Sequence, residues 1–254
     1  MLKKIASILL ICALTVSGLV SCRKKTEESG TAPHIITVSI DFSCDEELTA
    51  LFDQLEKEKT VVYVDGDKYK VDSQIEIEAD STNLYKDVYT VIDGTVYEHY
   101  RYYLNGVLHN DEKVKAPITD EESNDFLHRS CRIGGISVDR FASSTEENRD
   151  GKNVTVYTGP SKEDCIVLER TLISVLEGVC DLVAVTSATV TVEMTDGRYT
   201  KAVAECHYKL TLYGEEYSVS STVTLDYDYD TDFEILVPDD DINYAYIEIE
   251  EIIE

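Results

Sequence analysis

The sequence predicts an α+β fold that is mainly antiparallel β, with a curved half-barrel sheet and about three helices across its concave face. Apolar and polar residues alternate along 61–78 and 188–229, which is the period of a strand with one buried face. Asp-Gly or Asn-Gly pairs at 65–66, 93–94 and 105–106 interrupt these stretches and tolerate the positive φ of tight hairpins. Three segments with helical spacing of apolar residues complete the pattern.

The N-terminal half is predicted to open with a strand over Ile35–Phe42 and a helix that begins at Ser43. Glu46 stands three residues after Ser43, which is the spacing of a capping box. From Val61 the pattern becomes that of a meander of antiparallel strands, with the Asp-Gly and Asn-Gly pairs as its turns.

A second helix is predicted from Thr119, where Glu122 repeats the capping-box spacing. We expect a hairpin to follow, in which residues 136–142 pair with 153–157. The polar residues 143–152 are predicted to form the loop of that hairpin.

The third helix is predicted over residues 161–178, and its apolar stripe is wide enough that we expect it to be largely buried. A three-stranded meander follows it. Ala202 and Ala204 are small residues on the strand expected to face this helix, so the interface holds either close packing or space. We predict a ligand cavity lined by Leu168, Leu172, Leu176, Ala202, Ala204, Cys206 and Tyr208.

The N-terminus carries the parts of a secretory signal. Lys3 and Lys4 precede an apolar run from Ile5 to Val20, which is shorter than the roughly 20 residues that a membrane span needs. The stretch Leu19-Val20-Ser21-Cys22 resembles the lipobox of bacterial lipoprotein precursors. The resemblance implies diacylglyceryl attachment to the Cys22 thiol and cleavage before it; the alternative is an ordinary signal peptide that contains a cysteine.

These features divide the chain into four parts. We assign residues 1–21 to the signal peptide, 22–34 to the lipidated cysteine and a flexible spacer, 35–238 to a β domain and 239–254 to an acidic C-terminal tail. The basic residues 23–25 would adjoin the lipid, where they favour anionic headgroups or serve solubility alone.

The chain is strongly acidic, with a formal net charge of −27. Such a charge repels phosphates, so nucleic acid is excluded as a partner. There is no Gly-x-Ser-x-Gly elbow, His-Glu-x-x-His motif or glycine-rich phosphate loop, so we predict neither an enzyme nor a cofactor. Cys206 and His207 are neighbours on a predicted strand and point to opposite faces, so they cannot form a catalytic dyad. We expect a monomer.

An acidic run near the C-terminus is the best candidate for a metal site. Alternate aspartates could supply the oxygen ligands that calcium prefers, but no EF-hand spacing is present. The alternative, which we adopt, is the charged polar face of an edge strand. The run consists of Asp226, Asp228, Asp230, Asp232, Asp239, Asp240 and Asp241.

Five cysteines remain after Cys12 is lost with the signal and Cys22 is lipidated. Most of them lie at apolar positions, so we expect small buried residues rather than disulfide partners, although two disulfides remain an alternative. The five are Cys44, Cys131, Cys165, Cys180 and Cys206.

The order of elements is similar to that of the LolA-like and LppX-like lipoproteins. The hairpin over 84–97 and the closing segment over 224–238 carry the resemblance. The matching positions are Tyr89, Asp93, Gly94, Tyr97, Tyr227, Tyr229, Val237 and Pro238. The resemblance implies a half-open antiparallel barrel around a hydrophobic cavity that carries lipids or lipidated proteins. The chain departs from that family in its acidity and in having no arginine where the LolA carrier's gating residue would align.

Together these patterns favour a membrane-anchored extracytoplasmic lipoprotein that binds or carries a hydrophobic or lipid-like ligand. The alternative is a non-catalytic structural or interaction module of the cell surface, whose core is filled. Cavity volume distinguishes the two, because ligand pockets are typically about 300–1,000 Å³.

Overall fold

The computed structural model describes residues 32–44, 48–49, 59–78, 82–120, 122–123, 141–160, 182–195, 198–212 and 214–246. These residues form one 12-stranded sheet with the strand order β12-β6-β5-β4-β3-β2-β1-β11-β10-β9-β8-β7. Its strands are β1 His34–Cys44, β2 Lys59–Asp65, β3 Lys68–Glu78, β4 Thr82–Ile92, β5 Thr95–Leu104, β6 Val107–Pro117, β7 Phe141–Arg149, β8 Lys152–Pro160, β9 Leu182–Thr195, β10 Arg198–Leu212, β11 Glu215–Asp228 and β12 Ala245–Tyr246. Every pairing is antiparallel except that of β12 with β6, which makes the sheet mixed.

The two faces of the sheet differ in burial, as the alternating pattern predicts. Ile36 pairs with Val62 and Val62 with Val71, so these three side chains share one face, which we call the inner face. The apolar core lies on this face and runs from β2–β6 through β1 to β9–β11. We call the opposite side the outer face.

The tight hairpins predicted at 93–94 and 105–106 are confirmed, whereas the turn predicted at 65–66 falls one residue later, on Gly66 and Asp67, because Asp65 pairs with Lys68. Asp93 and Gly94 take φ of 52° and 70°, and Asn105 and Gly106 take 50° and 79°, so both two-residue turns have two positive φ values. Turns of this kind match the twist of the strands that they join, and they require residues that tolerate left-handed backbone. They fix the register of β4, β5 and β6.

The predicted fold class is wrong. The described residues form one large sheet, and none of its faces carries an α-helix in the described part of the chain. The three predicted helices fall mostly on residues outside those described. Ser43, expected to cap the first helix, instead belongs to β1 and pairs with Ser220, because backbone pairing with β11 continues to Cys44.

The capping box at Thr119 forms as predicted. The Thr119 N–H donates to Glu122 Oε2 at 2.8 Å, and the Glu122 N–H donates to Thr119 Oγ1 at 3.3 Å. The Tyr69 hydroxyl on β3 then donates to the Ser123 carbonyl oxygen at 2.9 Å, so this turn lies against the inner face.

The loop predicted at 143–152 is wrong, because these residues belong to β7, the turn and the start of β8. The chain reverses at Asp150 and Gly151, with φ of 52° and 82°. β7 is an edge strand whose described side chains, residues 143–149, are exposed, so no apolar alternation marks it.

After β11 the chain crosses the outer face toward β6. The Phe233 ring lies 5.5 Å from that of Tyr63 on β2, and Ile235 is buried. A turn of 3₁₀ helix at Asp241–Asn243 leads into β12. Within the described residues, no helix is long and apolar enough to cross a bilayer.

Candidate functional site

The predicted cavity residues on β10 lie together on the inner face. Ala202, Ala204, Cys206 and Tyr208 are all buried. Their neighbours across the sheet are also small or apolar, since Ala204 pairs with Val190 on one side and Val223 on the other. The other predicted lining residues, Leu168, Leu172 and Leu176, lie outside the described residues, as does Cys22.

This β10 strip ends in a buried polar contact. The Tyr208 hydroxyl lies 2.6 Å from Ser221 Oγ, so both groups are satisfied within the sheet. Burial raises the pKa of Tyr208, the neighbouring Cys206 raises it further, and the Ser221 hydrogen bond opposes the rise. Tyr208 therefore stays neutral. As predicted, the exposed His207 points away from the buried Cys206.

A second group of side chains on the inner face consists of acids and tyrosines. Asp87 pairs with Tyr100, and the flanking inner-face pairs are Tyr89 with Glu98 and Tyr85 with Tyr102. The sheet thus gathers six residues from β4 and β5, which we call the acid–tyrosine cluster. They are Tyr85, Asp87, Tyr89, Glu98, Tyr100 and Tyr102.

Two carboxyl groups of the cluster lie around one hydroxyl. The Tyr89 hydroxyl donates to Glu98 Oε1 at 3.0 Å. Asp87 Oδ1 is closed off from solvent and accepts no hydrogen bond in the described structure. A buried oxygen without a donor costs about 1–3 kcal/mol, so such groups are rare in folded proteins and call for a physical explanation.

Burial also changes the ionisation of both acids. Desolvation holds the pKa of Asp87 well above its ordinary value and the neighbouring Glu98 raises it further, while hydrogen bonds from the Tyr89 hydroxyl and the Val88 N–H oppose the rise. The pKa of Glu98 is raised by burial and by Glu112, while the Tyr89 hydrogen bond opposes the rise. Together the pair resists carrying two negative charges unless a positive charge arrives.

Three aromatic rings lie beside these carboxyls. The rings of Tyr85 and Tyr102 stack with their centroids 4.9 Å apart, and the Tyr102 hydroxyl donates to Asn83 Oδ1 at 2.7 Å. Burial raises the pKa of Tyr100, and Tyr85 and Asp87 raise it further. Tyr85, Tyr100 and Tyr102 are only half-buried, so this side of the cluster meets solvent.

The charges of this half of the sheet are segregated by face. The described inner-face positions of β3–β6 hold Asp87, Glu98 and Glu112 but no lysine, arginine or histidine on the regular ladder. His109 on β6 lies beside the register shift at Tyr102/Tyr103, with its ring 5.9 Å from that of Tyr102. The other basic residues of these strands fall at alternate positions, on the outer face. They are Lys68, Lys70, Lys86, His99, Arg101, Lys113 and Lys115. In the described part of the chain, the acids of the cluster therefore face no lysine or arginine on their own side.

The acidic run predicted as an edge strand has a different role. Asp226 and Asp228 belong to β11, which lies between β1 and β10, so the edge-strand interpretation is wrong. Asp228 accepts hydrogen bonds from the backbone N–H groups of Asp230 and Thr231 at 2.8 and 3.2 Å, which caps the turn after β11. Within the described residues, no group of three or more His, Cys, Asp or Glu is arranged to hold a metal ion.

Sequence reasoning missed the acid–tyrosine cluster. The sequence does carry a pattern that indicates the cluster. Acids and tyrosines occupy alternate positions in Tyr85-x-Asp87-x-Tyr89 and in Glu98-x-Tyr100-x-Tyr102, on either side of the turn at Asp93-Gly94. A register derived from that turn brings the two triplets side by side.

No family model and no curated protein matches the sequence. Among solved structures, one match is the crystal structure of a β-barrel-like protein of a domain of unknown function from Brucella abortus. The two are 10% identical, the TM-score is 0.28, and the match covers 78% of this chain and 98% of that chain. A similarity this low supports no inference about function.

Proposed function

We propose that the protein is a non-catalytic lipoprotein, anchored through Cys22 on the extracytoplasmic face of the cell membrane, that binds a ligand with an apolar body. The ligand lies against the inner face of the sheet. The lipobox pattern supports the anchor, and the resemblance of the 84–97 hairpin to LolA-like and LppX-like lipoproteins supports a hydrophobic or lipid-like ligand.

The observation that carries the ligand proposal is a patch of small side chains at the β9–β10 end of the apolar face. Ala204 and Cys206 on β10 adjoin Ala188 on β9, with Ala202 at the next inner position of β10. Larger residues such as Val192 and Leu225 surround the patch. Small side chains among larger ones leave room above the sheet, which is filled either by another part of the chain or by a bound apolar group.

Substitution of Ala204 by Phe tests the proposal. If a ligand fills the room above these small side chains, the phenylalanine displaces it at little cost in stability. The protein purified from membranes is extracted, and its small molecules are identified by mass spectrometry. We expect the wild type to carry a ligand that Ala204→Phe lacks, with a melting temperature within a few degrees of wild type.

Val203→Phe is the matched control, because Val203 is the preceding residue of β10 and points to the outer face. It should keep the ligand. The alternative function, a structural module with a filled core, is favoured by the membership of Ala202 and Ala204 in the continuous apolar core. That alternative predicts that Ala204→Phe overpacks the core at a cost of about 1–3 kcal/mol and that no ligand co-purifies.

A further inference from the structure

We infer that the acid–tyrosine cluster binds a protonated amine at the polar end of the ligand, so that the ligand is an alkylammonium compound. This inference rests on the proposed function, since the apolar chain of the same molecule would lie along the inner face. It assigns to Asp87 and Glu98 a role in recognition.

The first support is the unfilled acceptor. The Asp87 carboxyl takes hydrogen bonds from the Tyr89 hydroxyl and the Val88 N–H. Its Oδ1, however, is shut off from solvent and has no hydrogen-bond partner among the described residues. An ammonium N–H placed against Asp87 would fill that acceptor and offset the repulsion between the two carboxyls. A neutral alcohol could also donate to Asp87 Oδ1, but it would not offset the repulsion between the two carboxyls.

The aromatic rings are the second support. Tyr85, Tyr100 and Tyr102 lie at inner-face positions beside the carboxyls, and two of them form a stack. Tyrosine faces attract cations through the ring quadrupole, at about 0.5–1 kcal/mol for an exposed site and more when the site is desolvated. Their half-buried position leaves a way in from solvent.

The third support is the sign of the charge on this face. Lys86, Arg101 and Asp111 form a row on the outer face, where opposite charges lie side by side. The inner face at the same level carries Asp87, Tyr100 and Glu112 in a row. Among the described residues no lysine or arginine faces that row, so a cation from outside would favour the ionised form of its acids.

Calorimetric titration of the full-length protein in lipid nanodiscs tests the inference with three probes of equal chain length. n-Hexylammonium has a charge and N–H donors, n-hexyltrimethylammonium has the charge alone, and 1-hexanol is neutral. We expect n-hexylammonium to bind at least about tenfold more tightly than either of the others, since only it can both fill the acceptor and neutralise the pair.

Asp87→Asn removes the charge with little change in shape, and we expect it to weaken n-hexylammonium at least about tenfold. Asp72→Asn is the matched control, because Asp72 lies on the outer face of β3 near Lys70, 3.9 Å away, and should change nothing. If circular dichroism shows that Asp87→Asn does not fold, Glu98→Gln takes its place with the same expectation.

Binding should also depend on pH. The described titratable groups that face the cluster come from three strands: Tyr85, Asp87 and Tyr89 on β4, Glu98, Tyr100 and Tyr102 on β5, and Glu112 and His109 on β6, the His109 ring being 5.9 Å from that of Tyr102. Affinity for n-hexylammonium should rise as pH rises through the raised pKa values of Asp87 and Glu98. Affinity for 1-hexanol should not rise with pH in this way.

Equal affinity of wild type and Asp87→Asn for n-hexylammonium would overturn the inference, as would equal binding of the trimethyl compound. Such a result leaves the proposed function standing if the wild type still carries an extractable ligand that Ala204→Phe lacks. Conversely, if the protein binds n-hexylammonium but no ligand can be extracted from it, the result would support amine binding by the acid–tyrosine cluster and overturn the apolar-ligand proposal.

Discussion

At the scale of single residues, the acid–tyrosine cluster shows how a sheet can hold carboxyls in an unfavourable place. Asp87 lies between Ser73 on β3 and Tyr100 on β5, with backbone pairing on both sides. The side chain cannot leave without breaking that pairing, so burial acts on its ionisation instead. The result is a raised pKa at Asp87 and at Glu98.

This ionisation predicts how stability depends on pH. The pKa of Asp87 in the folded protein lies well above 3.8, because of burial and then of Glu98. Its contribution to stability is therefore fully present below the unfolded pKa and is lost as pH rises through the folded value. Asp87→Asn is neutral at every pH, so we expect its melting temperature to exceed that of wild type near pH 8.

Thermal unfolding of both proteins between pH 4 and pH 8 measures the effect. The difference in melting temperature should shrink toward pH 4, because folded wild-type Asp87 becomes protonated as the pH falls below its raised pKa. A variant that melts below wild type at pH 8 would show that the charged carboxylate stabilises the fold.

At the scale of elements, the segment after β11 attaches to the outer face through its last residues. Lys113 on β6 pairs with Asp240, and Lys115 Nζ lies 2.6 Å from Asp241 Oδ1. The Tyr244 ring meets that of Tyr97 edge to face at 5.5 Å. Residues of the acidic C-terminal tail thereby pack against β5 and β6, on the face where basic side chains gather.

We expect Tyr244→Ala to lower the free energy of unfolding by about 2 kcal/mol, because it removes a ring that is 8% exposed and leaves space beside Tyr97. Tyr246→Ala is the control, since Tyr246 is 69% exposed, and it should change stability by less than about 0.5 kcal/mol. Urea unfolding measures both. Equal effects would mean that the segment is held by its ion pairs and backbone rather than by the Tyr244 ring.

At the scale of the whole molecule, the proposed anchor and the charge act in opposite directions. A net charge of −27 favours distance from anionic headgroups, whereas two acyl chains contribute about 0.8 kcal/mol for each buried methylene. The lipid should dominate, because charge repulsion fades beyond a Debye length of about 8 Å in physiological salt.

Cys22→Ala tests this balance. Without the thiol there is no acyl attachment, so the protein should appear in the soluble fraction or remain as an uncleaved precursor. Fractionation followed by intact-mass measurement distinguishes these outcomes from wild type. A Cys22→Ala protein of mature size that stays in the membrane fraction would contradict the lipobox interpretation.

Local signals in the sequence were sufficient to predict much of the sheet. The Asp93-Gly94 and Asn105-Gly106 turns, the alternation over β10 and β11, which Val203 interrupts, and the capping box of Thr119 all depend on residues close together in the chain. Backbone conformation at such places is set by local sterics and hydrogen bonding, so the residues adjacent in sequence are enough to predict it.

Other features depend on partners that are distant in sequence. β7 shows no apolar alternation, so only its pairing with β8 identifies it as a strand, and Ser43 joins β1 because Ser220 lies opposite. The position of β11 inside the sheet, rather than at its edge, likewise follows from β1 pairing with it.

The candidate site also contains one part that the local sequence predicts and one part that depends on partners distant in sequence. Ala202, Ala204, Cys206 and Tyr208 share one strand, so alternation alone places them on one face. The acid–tyrosine cluster needs the register that sets Asp87 opposite Tyr100 and the burial that shuts Asp87 Oδ1 off from donors. A sequence determines which side chains share a face of one strand, whereas desolvation and cross-strand neighbours arise only when the strands come together.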